Sequence, residues 1–213
     1  MGKIENNKLN KQRSLLNSAF ELFTTKGVSK TSIAEISSKA GMAKGTFYLY
    51  FKDKFDIRNR LISHESSKLF IAATDALNEE IKSTNLNFTD KIIFVIDNII
   101  NALNENQTLL NFISKNLSWG IFKEALTTNV ADNDINFLDV YHKMINDDEV
   151  QLVEPEIMLF LIVELISSTC YSAILYKEPA DIETAKPFIY ATVRNIIKEH
   201  TIKDNASIAQ SSQ

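Results

Sequence analysis

Apolar residues recur at helical spacing along most of the 213-residue chain, and this periodicity predicts an all-α protein. The first helix, at about residues 8–26, carries its apolar stripe on Leu15, Leu16, Ala19, Phe20 and Phe23. Further helices are predicted at about 32–40, 43–50, 53–82, 89–103, 109–117, 118–128, 134–146, 155–177 and 181–200. Residues 204–213 are polar, and we expect them to form a disordered tail.

The second and third predicted helices are short and are separated by a tight turn. Ser32 and Glu35 have the spacing of a capping box, and Gly41 can end the second helix because glycine tolerates a positive φ. Phe47 and Phe51 point inward at i and i+4, which leaves a polar row toward solvent. That row is Lys44, Gly45, Thr46, Tyr48 and Tyr50. This is the outline of a helix-turn-helix, because Lys, Thr and Tyr side chains suit phosphates and base edges.

The same region resembles the N-terminal signature of TetR-family transcriptional repressors. The residues that carry the resemblance are Gly27-Val28, Thr31-Ser32, Ile33-Ala34, Ala40-Gly41, Lys44-Gly45-Thr46-Phe47-Tyr48, Tyr50-Phe51 and Lys54. The DNA-binding residues that we assign with this resemblance are Thr31, Ser32, Lys44, Gly45, Thr46, Tyr48, Tyr50 and Lys54. Among these, Lys44 and Lys54 are expected at phosphates, and Thr46 and Tyr48 at bases or their phosphates. Ala43 departs from the family, since relatives often have a small polar cap there, and a lost cap typically costs about 1 kcal/mol.

The resemblance also implies how the chain is divided. It indicates a helix-turn-helix DNA-binding domain at 1–62 and a helical ligand-binding and dimerisation domain at 63–203. The predicted helix at 53–82 joins the two domains, and no Pro or Gly occurs between Gly45 and Gly120. We therefore expect a rigid connection that can transmit a tilt.

Charge is distributed unevenly along the chain. Residues 1–60 hold 12 Lys and Arg against 5 Asp and Glu, a net of +7, whereas residues 61–213 hold 11 against 22, a net of −11. A basic head on an acidic body suits nucleic-acid binding by one end of the molecule. Cys170 is the only cysteine, which excludes an intrachain disulfide and agrees with a reducing cytoplasm.

The segment at 155–177 is the most apolar predicted helix. Its length of about 20 residues is also that of a membrane span. However, Glu164 lies near its middle, Ser and Thr residues crowd one half, and Lys177 alone is no basic cluster. We therefore expect no membrane insertion. The resemblance implies that 155–177 and 181–200 form a homodimer interface.

A ligand pocket is predicted in the second domain, where aromatic and amide side chains occur together. Its candidate residues are Phe94, Asn98, Phe112, Asn116, Trp119, Phe122, Tyr141 and Glu164. Taken singly, an aromatic side chain at helical spacing is more often an ordinary core residue than part of a pocket. A carboxylate in an apolar helix must be paired, protonated or at an interface, so Glu164 fits a pocket and a subunit interface equally well.

No pattern of catalytic, cofactor-binding or metal-binding residues is found. His64, His142 and His200 are far apart, and Asp139-x-x-His142 occurs once where a di-iron bundle needs a Glu-x-x-His on each of two helices. There is no Gly-rich phosphate loop or nucleophile elbow. We expect no enzyme activity, no metal and no cofactor.

The sequence therefore predicts a cytoplasmic, homodimeric transcriptional repressor that a small-molecule inducer releases from palindromic double-stranded DNA. The alternative is a structural or cell-cycle factor of the same fold, whose body binds a protein partner. The sequence does not identify the ligand, the operator or the regulated genes.

Overall fold

The computed structural model describes residues 3–116, 120 and 137–202. This part of the chain is helical, with an isolated antiparallel bridge between Leu152 and Thr201 and no strand, so the all-α prediction is confirmed. Its helices are Lys3–Lys26 (α1), Ile33–Lys39 (α2), Lys44–Phe47 (α3), Lys54–Glu80 (α4), Phe88–Glu105 (α5), Gln107–Asn116 (α6), Phe137–Asp147 (α7), Pro155–Leu175 (α8) and Ile182–His200 (α9). The helix predicted at 118–128 and the tail predicted at 204–213 lie outside the described residues.

Two helix boundaries differ from the sequence-based expectation. Helix α1 begins at Lys3, five residues before the start predicted at about residue 8. Extending an existing helix fixes one residue per new hydrogen bond, and no Pro or Gly interrupts residues 3–13, so α1 continues outward from its buried stripe. Helix α3 is shorter than predicted, since Tyr48, Leu49 and Tyr50 form a turn in which Leu49 and Tyr50 donate to the carbonyls of Thr46 and Phe47.

The chain forms two compact units. The first comprises Met1–Ala72 and Ala102–Leu138, and the second comprises Ala73–Asn101 and Asp139–Gln213. This division differs from the predicted boundary at residue 62, because α6 belongs to the first unit. The physical reason is a contact between α6 and α1 that periodicity along the chain does not reveal.

The first unit has an apolar core shared by α1, α2, α3, α6 and the first half of α4. Helix α2 packs against both α1 and α3. From α6, Phe112 packs edge-on against Phe20 at 5.5 Å between ring centroids and stacks on Phe23 at 6.4 Å. The buried side chains of this core include Leu15, Leu16, Ala19, Phe23, Ile36, Phe47, Phe51, Ile57, Leu61, Leu109, Leu110, Phe112 and Ile113.

The second unit is built on the packing of α8 against α9. Polar bonds join α9 to α5: Arg194 pairs with Asp90 at 2.7 Å, Lys186 Nζ donates to Asn101 at 2.6 Å, and the Tyr190 hydroxyl donates to Asp97. Cys170 of α8 is fully buried here, and this burial raises the pKa of its thiol to about 12. The apolar core includes Ile96, Ile100, Tyr141, Met158, Leu159, Ile162, Ile166, Ile174, Ile189, Val193 and Ile197.

Helix α8 has the length and apolar composition of a membrane span, and it is the one such helix in the described ranges. The same properties belong to the core helix of a soluble protein, so this is weak support for a membrane. Seven residues of α8 are buried in the protein, and its exposed face carries Glu164. These features fit a protein-packed helix.

Candidate nucleic-acid interface

Helix α2 starts with the capping box that the sequence predicts. The Ser32 hydroxyl accepts from the Glu35 amide at 3.2 Å, and Glu35 Oε2 accepts from the Ser32 amide at 2.8 Å. Lys26 of α1 also donates to Glu35 at 2.6 Å. The hydrogen bonds from Lys26 and Ser32 lower the pKa of Glu35 to about 2. Glu35 therefore fixes the start of α2 and ties it to the end of α1.

The turn between α2 and α3 is a Schellman motif. Gly41 has φ +69°, and the Met42 amide donates back to the Ser37 carbonyl at 2.9 Å. Ala43 precedes α3 in extended conformation and provides no side-chain cap, as its methyl group dictates. The chain thus turns sharply into α3 by backbone bonding alone.

Two buried phenylalanines hold the segment after this turn. Phe47 and Phe51 are 0% and 1% exposed, with ring centroids 5.5 Å apart. Tyr48 packs edge-on against Phe47 and still exposes 51% of its surface. The two anchors fix the backbone, so the residues between them are presented outward in a defined orientation.

The outward row matches the predicted DNA-binding row at five positions. Lys44, Gly45 and Tyr48 are exposed, and Thr46 and Tyr50 are half-buried. A Cβ atom added at Gly45 would meet nothing within 4 Å, so the free protein leaves open space there. The structure brings these five positions together on one short segment.

Leu49 lies in the same segment and was not among the predicted DNA-binding residues. Leu49 is 76% exposed, although Phe47 and Phe51, two residues away on either side, are buried. Such exposure is unusual for a large apolar side chain. An apolar side chain in a major groove can contact a thymine methyl group. The sequence feature that predicts this exposure is the position of Leu49 between Tyr48 and Tyr50, on the side away from Phe47 and Phe51.

Thr31 and Ser32 differ from the row. Thr31 is 2% exposed, and its hydroxyl donates to the Gly27 carbonyl at 2.9 Å, so its side chain supports the α1–α2 turn and does not face DNA. The Ser32 hydroxyl is exposed and is engaged in the α2 cap through Glu35. The role predicted for Thr31 is therefore replaced by a structural one.

Lys54 also has partners other than a phosphate. Its Nζ donates to the carbonyls of Val28, Ser29 and Thr31 at 3.1, 3.1 and 3.3 Å. The ammonium group is thus directed into the α1–α2 turn. We expected a phosphate contact at Lys54, and the free protein holds its ammonium elsewhere.

The start of α4 is capped by Asp53, as its position in the sequence predicts. Its Oδ1 accepts from the amides of Phe55 and Asp56 at 2.7 and 2.9 Å, and these bonds hold the pKa of Asp53 below its usual range. Arg60, one turn further on, pairs with Asp56 at 3.0 Å and lies 5.5 Å from the Phe51 ring. These contacts fix α4 to the segment that carries the exposed row.

Cations remain on this surface after the internal pairs are formed. Lys26 and Lys39 are paired with Glu35 and Glu21. Lys30, Lys44 and Lys52 are exposed, and none forms an ion pair with another described residue. Lys44 lies in the outward row and Lys52 follows it by two residues, so exposed cations and the Thr and Tyr side chains occur in one segment suited to a polyanion.

The predicted ligand-pocket residues that the structure describes are divided between the two units. Phe112 is core of the first unit, as described above, whereas the sequence places it in the second domain. In the second unit, Tyr141 is buried and donates to the Pro155 carbonyl at 3.1 Å. Asn98 Nδ2 donates to the Phe94 carbonyl at 2.9 Å, and both residues are half-buried.

Glu164 is exposed on α8 and therefore lines no enclosed pocket within its own unit. Asn116 ends α6 in the first unit, and Trp119 and Phe122 lie outside the described residues. Among the residues that the structure describes, no group of three or more His, Cys, Asp or Glu side chains could hold a metal ion.

The profile of bacterial regulatory proteins of the tetR family matches residues 15–61. The HTH-type transcriptional regulator YvdT of Bacillus subtilis is 50% identical over 44 residues, which are 21% of this chain and 23% of YvdT. The regulator YerO of the same organism is 25% identical over 182 residues, which are 73% of this chain and 63% of YerO. The chain thus matches less than two thirds of the length of either relative.

The fold is shared with the transcriptional regulator FadR of Bacillus subtilis, whose crystal structure was solved in complex with stearoyl-CoA. The TM-score is 0.59 at 20% sequence identity, and the superposition covers 85% of this chain and 96% of FadR. The matched segment, residues 15–61, contains the capping box, the Gly41 turn and the exposed row described above. Residues 15–61 therefore match the tetR family of bacterial regulatory proteins through their helix-turn-helix, and the all-α fold of the chain is that of solved TetR-family regulators.

Proposed function

We propose that the protein is a cytoplasmic, homodimeric repressor that a small-molecule ligand releases from a palindromic operator. The observation that carries this proposal is the exposed row from Lys44 to Tyr50, held outward by the buried rings of Phe47 and Phe51. A side chain whose orientation is fixed before binding loses little conformational freedom when it contacts DNA. Each subunit places its row in one major groove.

Two-fold symmetry then sets the form of the operator. Two identical heads require inverted half-sites, spaced by about one helical turn, roughly 34 Å, or a multiple of it. Exposed lysines such as Lys30, Lys44 and Lys52 supply phosphate contacts, and Thr46, Tyr48 and Tyr50 lie where base edges are read. Gly45 allows the DNA backbone to come close.

The proposed dimer interface consists of α8 and α9. An exposed stripe on α8 contains Ile157 and Leu161, 49% and 41% exposed, followed by Glu164 and Ser168. On α9, Phe188 is 73% exposed. Apolar side chains on two packed helices support a four-helix contact in which each subunit contributes both helices. Glu164 belongs to this interface.

The ligand is proposed to bind in the helical body. The remaining described candidates, Phe94, Asn98 and Tyr141, all belong to the second unit. The shared fold with a regulator solved in complex with stearoyl-CoA makes long-chain acyl-CoA the first class to test. Ligand binding would displace α4, which contributes residues to both units. This displacement would change the spacing between the recognition segments, residues 44–50, of the two subunits. Linkage then requires operator DNA to weaken ligand binding by the same factor.

The test is a gel-shift titration of the purified protein against its own upstream intergenic DNA. It is repeated with acyl-CoAs of graded chain length, free fatty acids and a panel of lipophilic and cationic compounds. Specific binding that one class releases supports the proposal and names the ligand class. Specific binding released only by a protein fraction would favour the protein-partner alternative, and absence of specific binding to any genomic fragment would contradict the operator.

A further inference from the structure

The turn between α1 and α2 is closed by a side-chain hydrogen bond within its own sequence and by three from Lys54. Residues 27–31 bring several carbonyl oxygens to one side of the turn. The Gly27 carbonyl accepts from the Thr31 hydroxyl at 2.9 Å, and the carbonyls of Val28, Ser29 and Thr31 accept from Lys54 Nζ at 3.1, 3.1 and 3.3 Å. Lys54 is more than 20 residues further along the chain.

The chemistry of the ammonium group matches this arrangement. A lysine ammonium has three N–H donors, and each has one carbonyl oxygen within hydrogen-bond distance. A phosphate contact would have to replace or share one of these bonds. An arginine carries the same charge, but its flat guanidinium is built for two parallel bonds and cannot place three donors around one nitrogen.

The two elements that Lys54 joins both determine where the recognition segment lies. Thr31 directly precedes Ser32, the cap of α2, and α2 packs against α3. Lys54 is the first residue of α4, directly after the Asp53 cap. The α2–α3 pair and the beginning of α4 are therefore connected through one side chain, in addition to the chain segment that runs between them.

We infer that Lys54 is a positioning residue, which fixes the helix-turn-helix against the start of α4 through the α1–α2 turn and not through a phosphate contact. This inference rests on the proposed DNA-binding function. Its consequence is that a movement of α4 carries the helix-turn-helix with it. Specific binding needs the recognition segment, residues 44–50, at one orientation. Affinity for the operator should therefore depend on Lys54 more strongly than affinity for unrelated DNA does.

The experiment compares Lys54→Arg and Lys54→Met with the wild type, and uses Lys82→Met as a charge control in the second unit. Lys82 is exposed and pairs with Glu79 at 2.7 Å. Hydrogen exchange of the free proteins is measured by mass spectrometry on peptides that cover residues 27–36. Affinity for the operator and for unrelated DNA is then measured at several salt concentrations.

We expect faster exchange at 27–36 in both Lys54 variants and unchanged exchange in α9. Operator affinity should fall about tenfold or more, the order expected when hydrogen bonds to a charged group are lost. Affinity for unrelated DNA and the salt slope should remain those of the wild type, as they should in Lys82→Met.

Unchanged exchange at 27–36 would overturn the inference without reference to DNA. Wild-type affinity in Lys54→Arg, together with a salt slope lowered by about one charge per subunit in Lys54→Met, would identify a phosphate contact instead. Equal losses on operator and unrelated DNA would also overturn it. A wild type that binds no operator would contradict the proposed function, whereas the exchange measurement would still decide whether Lys54 holds the turn.

Discussion

Single residues of the head have separable roles in folding and in DNA binding. The side chains of Glu35, Thr31 and Lys54 form hydrogen bonds with backbone groups of residues 27–32. These bonds hold the helix-turn-helix together. Gly45 and Leu49 contribute almost nothing to the core and face outward. Substitutions at the two sets should therefore affect different measurements.

Gly45→Ala separates the two roles directly. The added methyl group meets open space in the free protein, and Ala is favoured over Gly inside a helix by about 0.5–1 kcal/mol, so the melting temperature should stay equal or rise. Inserting a methyl group into a close contact costs about 1–3 kcal/mol, so operator affinity should fall by roughly tenfold. Thermal melting and gel-shift titration check both parts. Undiminished operator affinity would show that DNA does not approach Gly45.

Glu35 predicts a pH dependence of stability. Its pKa is lowered from 4.5 to about 2 by the hydrogen bonds from Lys26 and Ser32. A depressed carboxyl pKa stabilises the folded state above the unfolded pKa, and this contribution disappears as the pH falls from about 4.5 to about 2. Glu35→Gln should melt at a lower temperature than the wild type at pH 7, and the difference should vanish as the pH approaches 2.

The matched control for this series is Glu79→Gln. Within the described ranges, the Glu79 carboxylate pairs only with Lys82, and both side chains are exposed, so the pair contributes little. Its melting curves should follow the wild type across the same pH range. A constant difference between Glu35→Gln and the wild type down to pH 2 would exclude the charge of Glu35 as the stabilising feature.

At the scale of elements, α6 shows how a helix can be predicted correctly and placed wrongly. Its apolar residues indicate an amphipathic helix at 109–117, and the observed helix is Gln107–Asn116. The presence of an aromatic residue at position 112 does not predict which helix it packs against. In the structure it packs against Phe20 and Phe23 of α1, so α6 supports the DNA-binding unit.

Phe112→Ala tests this placement. Removing a buried aromatic ring costs about 3–5 kcal/mol, so the unfolding midpoint in urea should fall strongly. Phe55→Ala is the control, because Phe55 is 50% exposed and its ring faces the cations of Lys54 and Arg58, an interaction of about 0.5–1 kcal/mol. If both substitutions destabilised the protein equally, the packing of α6 on α1 would be incorrect.

At the scale of the whole molecule, the proposed operator recognition requires two copies of the chain. The exposed stripe of α8 and the exposed Phe188 of α9 belong to the second unit, whereas the DNA-binding row belongs to the first. A substitution that disrupts dimerisation should therefore lower operator affinity without changing the structure of the first unit.

Leu161→Asp is expected to produce a folded monomer. Leu161 is 41% exposed, so the substitution should change the stability of the single chain by only about 0.5 kcal/mol, while it places a charge in the proposed apolar contact. Light scattering after size exclusion should give the mass of one chain, and affinity for the full operator should fall to that of a half-site. Ile81→Asp, at a comparable 42% exposure outside α8 and α9, should remain dimeric. A dimeric Leu161→Asp protein would remove α8 from the interface.

The sequence by itself determined the local features of this protein. The capping box at Ser32, the Gly41 turn, the inward Phe47 and Phe51, and the approximate extents of α4, α5, α8 and α9 follow from spacing and backbone chemistry, which depend on residues within a few positions of each other. The match of residues 15–61 to the tetR family follows from the same local pattern.

Only the tertiary structure decided which side chains meet across long separations. The bonds from Lys54 to the α1–α2 turn and the stacking of Phe112 on Phe23 of α1 join residues that are distant in sequence. Lysine is normally exposed and aromatic residues are normally core or pocket, so residue type alone could not assign these partners. Periodicity defines the apolar face of a helix, and the packing of the folded chain decides what that face contacts.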